Sequence, residues 1–366
     1  MRKKSFLSLC LVAQNLLPAM KQLIFMPILL AVLGMFGSCT GGQSSKADGA
    51  GTDTVQATVD TVSVLEQCTY PVQIEKVGNR LLVLDLAARE KVMMSFDLDS
   101  REVTHFAARG HAENEVAEVA RFHKIDEHRI SIYKPNGLLV FNIDSVCAKS
   151  SISHEFMGLP SVEHVVKDAI KAKDGFVALV QADSARFCLL SQEKVVSSYN
   201  DYPQNFVDKE EDVKPVVNYA SRFSAVNDGS RFCMGTYIGG MLQTFSVDDD
   251  QIECLGTNVL YKSEYLKMEN NAVSWDSEST IGFDDIYPAE GSIYALLNQN
   301  KGQVLKDGGP EPFTTSIAVF DWEASLKKVI KVGKMMMCLC VDENKNEAYA
   351  VHYGKDGLFL IRIQWK

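Results

Sequence analysis

The side chains best suited to chemistry in this 366-residue chain are dispersed along it, with no spacing that gathers them. His105, His111, His123, His128, His154, His164 and His352 form neither an HxH pair, which would share one face of a strand, nor an HxxxH pair, which would share one face of a helix. They predict no metal site. Asp248-Asp249-Asp250 has the composition of a calcium loop but lacks the glycine and closing glutamate that an EF-hand requires. It reads instead as a hairpin turn between Phe245-Ser246-Val247 and Ile252-Glu253-Cys254. The chain has no GxSxG, no GxxxxGK(S/T) and no GxGxxG opening a helix, so no residue is assigned to catalysis and no cofactor is expected.

Nine cysteines suggest a disulfide framework until they are placed. Cys10 and Cys39 belong to an N-terminal export segment, and an odd number remains in the body. Phe187-Cys188-Leu189, Phe232-Cys233-Met234 and Met337-Cys338-Leu339-Cys340-Val341 set thiols inside apolar, strand-like runs, where each behaves as a small buried hydrophobe. Cys338 and Cys340 share one face of a strand, which is not the CxxC spacing of a metal or redox pair. Buried, unpaired thiols are expected, with one or two disulfides as the alternative.

The apolar run Leu23 to Phe36 is shorter than the roughly 20 residues of a transmembrane helix and suits the apolar stretch of an export signal. Lys21 supplies the basic flank of a signal of ordinary length if translation starts at Met20 rather than Met1. Gly37-Ser38-Cys39 resembles a bacterial lipobox, with Phe36 where leucine is usual, so residues 1–39 are read as an export signal and Cys39 as the lipidated residue. A plain secretory signal is the alternative. Residues 40–53, rich in Gly, Ser and Thr, form a flexible tether. Without Arg2, Lys3, Lys4 and Lys21 the 37 basic and 47 acidic side chains become 33 and 47, and the formal charge falls from −10 to −14. Such a surface repels phosphate backbones and argues against nucleic acid as a partner.

Residues 54–366 must supply the framework for any site. Their hydrophobicity alternates over short runs cut by Gly, Asn and Asp, and long helical periodicity is missing. One unit recurs: an apolar run, a polar turn and a second apolar run that pairs with the first. The turns are Val77 to Arg80, Asp126 to His128, Ala172 to Gly175, Asn227 to Ser230, Ala289 to Ser292 and Asp342 to Asn346. The strands after them start at Leu81, Ile130, Phe176, Phe232, Ile293 and Ala348, 49, 46, 56, 61 and 55 residues apart. Six units of that length, with four strands each, predict an all-β, six-bladed β-propeller. The last unit has only three strands, Met337 to Asp342, Glu347 to Tyr353 and Leu358 to Gln364. The alternating segment Thr54 to Val62 is therefore expected to complete the last blade and close the ring. Tandem β-sandwiches are the rival, with Asp208 to Asp212 as their linker.

Three stretches carry a family resemblance. They are Gly78 to Asp85 leading to Met94-Ser95-Phe96-Asp97-Leu98, then Phe106 to Glu115, then Ile317 to Trp322 through Val341-Asp342-Glu343 to Ala348-Tyr349-Ala350. They resemble the TolB-like six-bladed propeller proteins found among bacterial lipoproteins. The second is similar to that family's Phe-Gly-x-x-Gly-x-Gly-Pro-x-Glu turn, with Ala107 and Ala112 where Gly is usual and Glu113-Asn114 lacking the usual Pro. The resemblance implies a fold and a cell-envelope location, and no settled activity.

Ring geometry places a candidate site where loops lead into the innermost strands, at one mouth of the channel. By alignment of the units this includes Arg109, His111, Arg121, His123, Lys167, Arg222, Asp284 and Asp285. The ligand-binding candidates are Arg109, His111, Arg222, Asp284 and Asp285. Arginines there take a carboxylate or phosphate in bidentate fashion, or else pair with aspartates of neighbouring blades. Trp322 is expected to pack between blades. The functional expectation is a monomeric, non-catalytic cell-envelope lipoprotein, held to the membrane by its lipid alone, whose propeller binds a protein, a peptide or a small ligand. Loops Asp201 to Pro215 and Asn298 to Thr314 would offer the partner surface. The alternative is a carbohydrate- or ester-active enzyme with convergent carboxylates, or a histidine and a carboxylate, at the channel mouth.

Overall fold

Strands apolar on both faces, such as Leu81-Leu82-Val83-Leu84, need cover on both sides, and a chain with almost no helix can supply it only by wedging sheet against sheet. In the computed structural model that is the arrangement. The structure describes residues 53–366 except 118, 120, 151–152, 183, 203–220, 249, 262–264, 268–272, 276–278 and 301–313. The export signal, Cys39, most of the tether, Asp208 to Asp212 and most of both expected partner loops lie outside the described residues.

Six sheets form the blades. Blade 1 comprises β3 (Pro71–Val77), β4 (Arg80–Asp85), β5 (Lys91–Asp97) and β6 (Val103–Ala108). Blade 2 comprises β7 (Phe122–Lys124), β8 (Arg129–Lys134), β9 (Gly137–Asn142) and β10 (His154–Gly158). A short helix, α1 (Ile143–Cys147), joins its last two strands, and the Asn142 side chain caps it by accepting from Ser145 N at 2.9 Å. Blade 3 holds β11 (Val165–Ala172), β12 (Gly175–Gln181), β13 (Phe187–Leu190) and β14 (Val195–Tyr199). Blade 4 holds β15 (Ser221–Ala225), β16 (Arg231–Thr236), β17 (Met241–Asp248) and β18 (Gln251–Val259). A two-stranded arm of β19 (Tyr265–Lys267) and β20 (Val273–Trp275) precedes blade 5, which is built from β21 (Phe283–Pro288), β22 (Ile293–Leu297), β23 (Ser316–Phe320) and β24 (Leu326–Lys331). Blade 6 contains β25 (Met336–Asp342), β26 (Glu347–Gly354) and β27 (Gly357–Gln364). Each of the six turns read from the sequence joins the first and second strands of a blade. The acidic turn closes the β17–β18 hairpin, with Asp248 opposite Gln251.

The core is correspondingly divided, with one apolar cluster at each junction between neighbouring blades. Leu82 and Leu84 pack with Phe122, Ile130 and Ile132 of blade 2, whereas Leu81 and Val83, from the same strand, pack with Val351 and Leu360 of blade 6. Cys338 and Cys340 face blade 1, and Leu339 and Val341 face blade 5. Blades 3 and 4 meet through Phe187, Phe223, Phe232 and Phe245, with Phe232 and Phe245 stacked at 4.7 Å between centroids. Trp322 ties blade 5 to blade 4: its carbonyl accepts from Thr244 Oγ1 at 2.7 Å, and the Arg231 guanidinium lies 4.5 Å over its ring.

The closing segment divides between two blades. The sequence reads Thr54 to Val62 as one strand, but the chain steps from one blade to the next at Ala57. β1 (Asp53–Gln56) adds a fifth, parallel strand to blade 5 beside β24. β2 (Thr58–Val64) pairs antiparallel with β27 as the outer strand of blade 6. Ala57 N donates to Lys331 O at 3.0 Å, and its methyl is buried between the two blades. Alternation of side chains continues through this step, so the pattern alone cannot reveal it.

Two backbone positions bear on stability. Ala107, at the glycine position of the resembling turn, has a φ of 56°, a left-handed conformation that glycine adopts more cheaply. At the junction of blades 4 and 5, Gly282 N donates to Tyr237 O at 2.6 Å and Gly239 N to Thr280 O at 2.8 Å. A Cβ on Gly282 would lie 2.4 Å from Gly240 N and 2.5 Å from Gly240 Cα and Thr236 O. None of these is a side-chain atom that could rotate away. Gly282→Ala is therefore expected to destabilise the ring by about 2 kcal/mol in urea unfolding. An unchanged midpoint would contradict this close approach.

Candidate functional site

The first strands of the blades, β3, β7, β11, β15, β21 and β25, surround the axis, and their polar side chains reach one another across it. Gln73 of β3 pairs with the backbone of Phe122, its Nε2 donating to the carbonyl at 2.7 Å and its Oε1 accepting from the amide at 3.0 Å. Arg121, one residue before β7, donates to Asp285 Oδ1 of blade 5 at 2.8 Å, and Asp285 Oδ2 accepts from Leu339 N of blade 6 at 3.0 Å. This ion pair joins opposite blades and is almost wholly buried, at 8% and 1% side-chain exposure. His123 Nε2 lies 2.9 Å from Asp168 Oδ2 of blade 3, and the other Asp168 oxygen accepts from Ala169 N at 2.8 Å. Arg222 Nε donates to the Asp284 carbonyl at 2.7 Å, and the Asp284 carboxylate accepts from Asn298 Nδ2 at 3.1 Å.

Glu75 completes the set. Its Oε1 accepts from the Tyr287 hydroxyl at 3.0 Å and from Lys76 N at 3.1 Å. Burial pushes its carboxyl up to about 7, against the opposing pull of Lys124 and of the Tyr287 hydrogen bond. The Tyr287 hydroxyl is raised far above its ordinary value, by burial and by facing Glu75. The axial opening lined by Gln73, Glu75, His123, Lys124, Lys171 and Ser224 has a volume of only about 10 Å³, the space of one water. Between blades 3 and 4 the wholly buried Arg186 donates to Gln243 Oε1 and lies 4.6 Å over the Tyr202 ring.

The structure brings Arg222, Asp284 and Asp285 together at the axis and leaves Arg109 and His111 apart from them. Arg109 Nε donates to Ala88 O at 3.0 Å and its second terminal nitrogen to Leu86 O at 2.9 Å, so it clamps the loop after β6 to the loop after β4 of its own blade. His111 is exposed on that loop. Arg121 and His123 take aspartates of other blades as partners, the second of the two arrangements weighed from the sequence. Gln73, Glu75, Asp168 and Tyr287 were missed, although the polar residues of Pro71-Val72-Gln73-Ile74-Glu75-Lys76-Val77 stood out in an apolar strand. The thiols of Cys68, Cys147, Cys188, Cys233, Cys254, Cys338 and Cys340 are free. Burial pushes Cys68 up to about 12 and Cys338 and Cys340 well above the ordinary thiol value, which keeps them protonated and unreactive. Among the described residues no group of three or more His, Cys, Asp and Glu is placed to hold a metal ion.

A family model described as TolB-like 6-blade propeller-like matches residues 51–344. No curated protein matches the sequence. Among solved structures, the chain is similar to a putative exported protein of Bacteroides fragilis NCTC 9343, at 9% identity and a TM-score of 0.51 over 86% of this chain and 99% of the other. A DUF4221 family member from Bacteroides vulgatus aligns at 12% identity and a TM-score of 0.47 over 85% and 98%. Regucalcin, a calcium-binding protein of Agrobacterium tumefaciens C58, aligns at 10% and 0.43 over 86% and 97%. At 9% identity the likeness to the Bacteroides fragilis protein is one of fold.

Two predictions follow from the axial network. Arg121→Met leaves the Asp285 carboxylate buried without its cation and is expected to cost about 3–5 kcal/mol in urea unfolding. Arg121→Met with Asp285→Asn, which keeps an acceptor for Leu339 N, should recover a large part of that loss. A double variant no more stable than the single one would refute the ion pair. Glu75 has a raised folded-state value, so its contribution is fully present below its unfolded value of 4.5 and is lost as pH rises through about 7. Glu75→Gln stays uncharged, and between about pH 5 and about pH 8 it should gain on the wild type by roughly 2 kcal/mol. Unfolding curves at the two pH values measure the difference; parallel shifts would contradict the burial of a titrating carboxyl.

Proposed function

The chain belongs to the TolB-like six-bladed propeller family, and from that premise we propose that it is a non-catalytic binding scaffold held at the bacterial cell envelope by a lipid on Cys39. The observation that carries the scaffold reading is the pairing of the axial polar groups with one another, with Arg121 Nε left as a sheltered donor that meets no acceptor. Arg121 and Asp285 pair between opposite blades and His123 and Asp168 between adjacent ones, beside an opening of about 10 Å³. A rigid ring so filled offers its rims and loops to partners rather than its channel. The partner is an envelope protein or peptide, and the ring acts as a monomer. The envelope reading rests on the apolar run Leu23 to Phe36, the lipobox-like Gly37-Ser38-Cys39 and the tether behind it.

The competing reading, a carbohydrate- or ester-active enzyme, would draw on His123 and Asp168, a histidine and a carboxylate that meet at the axis. Both are less than a tenth exposed, at 7% and 6%. The opening that His123 lines, about 10 Å³, is the space of one water and too small for a saccharide or ester.

Fractionation of cells expressing the full chain tests the anchor. The wild type is expected in the detergent-extracted membrane fraction with incorporated fatty acid, and Cys39→Ala in the soluble fraction without it. Recovery of the wild type in the soluble fraction, unlabelled, would overturn the lipid anchor. Crosslinking of the anchored chain in intact cells is expected to capture a partner through the propeller rims; hydrolysis of a saccharide or ester that is abolished by His123→Gln would favour the enzyme.

A further inference from the structure

The closing junction, where blade 6 meets blade 1, is not packed to its rim. On the side of the β3–β4, β5–β6 and β25–β26 turns the apolar cluster ends at Phe96 and Tyr349, and a cleft of about 330 Å³ opens beyond it. This is within the range of small-ligand sites, and more than thirty times the axial opening. Four cationic side chains line it: Lys76 and Arg101 from blade 1, and Lys345 and Arg362 from blade 6.

Their bonding is incomplete in a consistent way. Lys76 Nζ and Lys345 Nζ share a single oxygen, Asp342 Oδ2, at 3.0 and 3.1 Å. A terminal nitrogen of Arg362 donates to Asp60 Oδ2 at 2.9 Å, while its Nε is shielded from solvent and meets no acceptor. Arg101 gives one hydrogen bond, to Val62 O at 3.0 Å, and faces the Phe96 ring at 5.8 Å; among the described residues it meets no carboxylate. Two of the three carboxylates lining the cleft are already engaged, Asp60 by Arg362 and Glu347 by Gln364 Nε2 at 3.0 Å. A sheltered N–H without an acceptor is costly, and guanidinium groups with vacant donors are the side chains best shaped to receive a planar or tetrahedral oxyanion. We propose that this cleft binds a small hydrophilic molecule through a carboxylate or phosphate group.

The position of the two arginines gives binding a consequence for the fold. Arg101 holds the Val62 carbonyl from blade 1, and Arg362 holds the Asp60 side chain from β27. Both grip β2, the strand that closes the ring. An oxyanion bridging the guanidinium groups would fasten β2 between the first and last blades, so occupancy should stabilise closure by mass action. The inference concerns the ring itself and holds whether or not Cys39 carries a lipid.

Thermal unfolding and calorimetric titration of the full chain test it, with inorganic phosphate and glucuronate as separate probes, glucose as the uncharged counterpart, and sodium chloride at matched ionic strength. A saturable rise in Tm with phosphate or with glucuronate is expected, and whichever acts identifies the oxyanion. Glucose and chloride should leave Tm unchanged. Lys345→Gln, at an exposed turn, should leave the ligand-free Tm close to the wild type, Arg101→Gln should lower it slightly through loss of the Val62 bond, and each should weaken binding at least about tenfold, as loss of a charge-assisted hydrogen bond does. The proposal fails if neither anion gives a saturable shift, if glucose binds as well as glucuronate, or if binding persists undiminished in both variants.

Discussion

The rest of the structure depends on the need to cover strands that are apolar on both faces. A sheet of this kind cannot expose either side to water, and the described residues include only one short helix to lay over it. Neighbouring sheets must supply the cover, and a circle is the arrangement in which no sheet is last. Each junction then acts as a separate core, with alternate residues of one strand assigned to different junctions, as Leu81 and Leu82 are. Loss of one junction would uncover a face of two blades, which is why a single chain crossing at Ala57 matters to the whole ring.

Radial packing also crowds the axis. Six inner strands converge there, and their polar side chains lose water without gaining the shelter of an apolar wedge. The solution is reciprocal pairing: Gln73 imitates a backbone neighbour for Phe122 of the next blade, Arg121 spans the centre to Asp285, and Tyr287 reaches back to Glu75. Buried charges of this kind add little net stability beside an apolar filling, but removing one partner strands the other. They therefore set which blade faces which. The same residues, read as a list of arginines, histidines and aspartates near a channel mouth, resemble a binding site; read as bonds, they form a hub.

How much was legible follows from the range of each interaction. The six hairpins between first and second strands were readable because a polar turn and its flanking apolar runs are contiguous, as Asn227 to Ser230 followed by Phe232 shows. That Cys338 and Cys340 share one face was readable, since side chains alternate along a strand. The division of Thr54 to Val62 between two blades was not, because alternation is unbroken at Ala57 while the hydrogen-bond partner changes from Lys331 to Gln364. Arg109, a ligand-binding candidate in the sequence, donates to carbonyls of a loop some twenty residues earlier, a contact that has no sequence pattern of its own.

By itself the sequence determined the strand-rich class, the number of units, their hairpins and the need for a strand from the beginning of the domain to finish its last blade. These follow from local periodicity and turn chemistry, which act over a few residues. Only the tertiary structure decided which polar groups meet. Arg121 and Asp285 are 164 positions apart, and Arg362 and Asp60 are 302 apart. It also decided that the opening beside His123 has the space of one water while the closing junction keeps a cleft of about 330 Å³. Such pairings depend on the angles at which blades meet around the ring, and no local pattern encodes an angle between distant sheets.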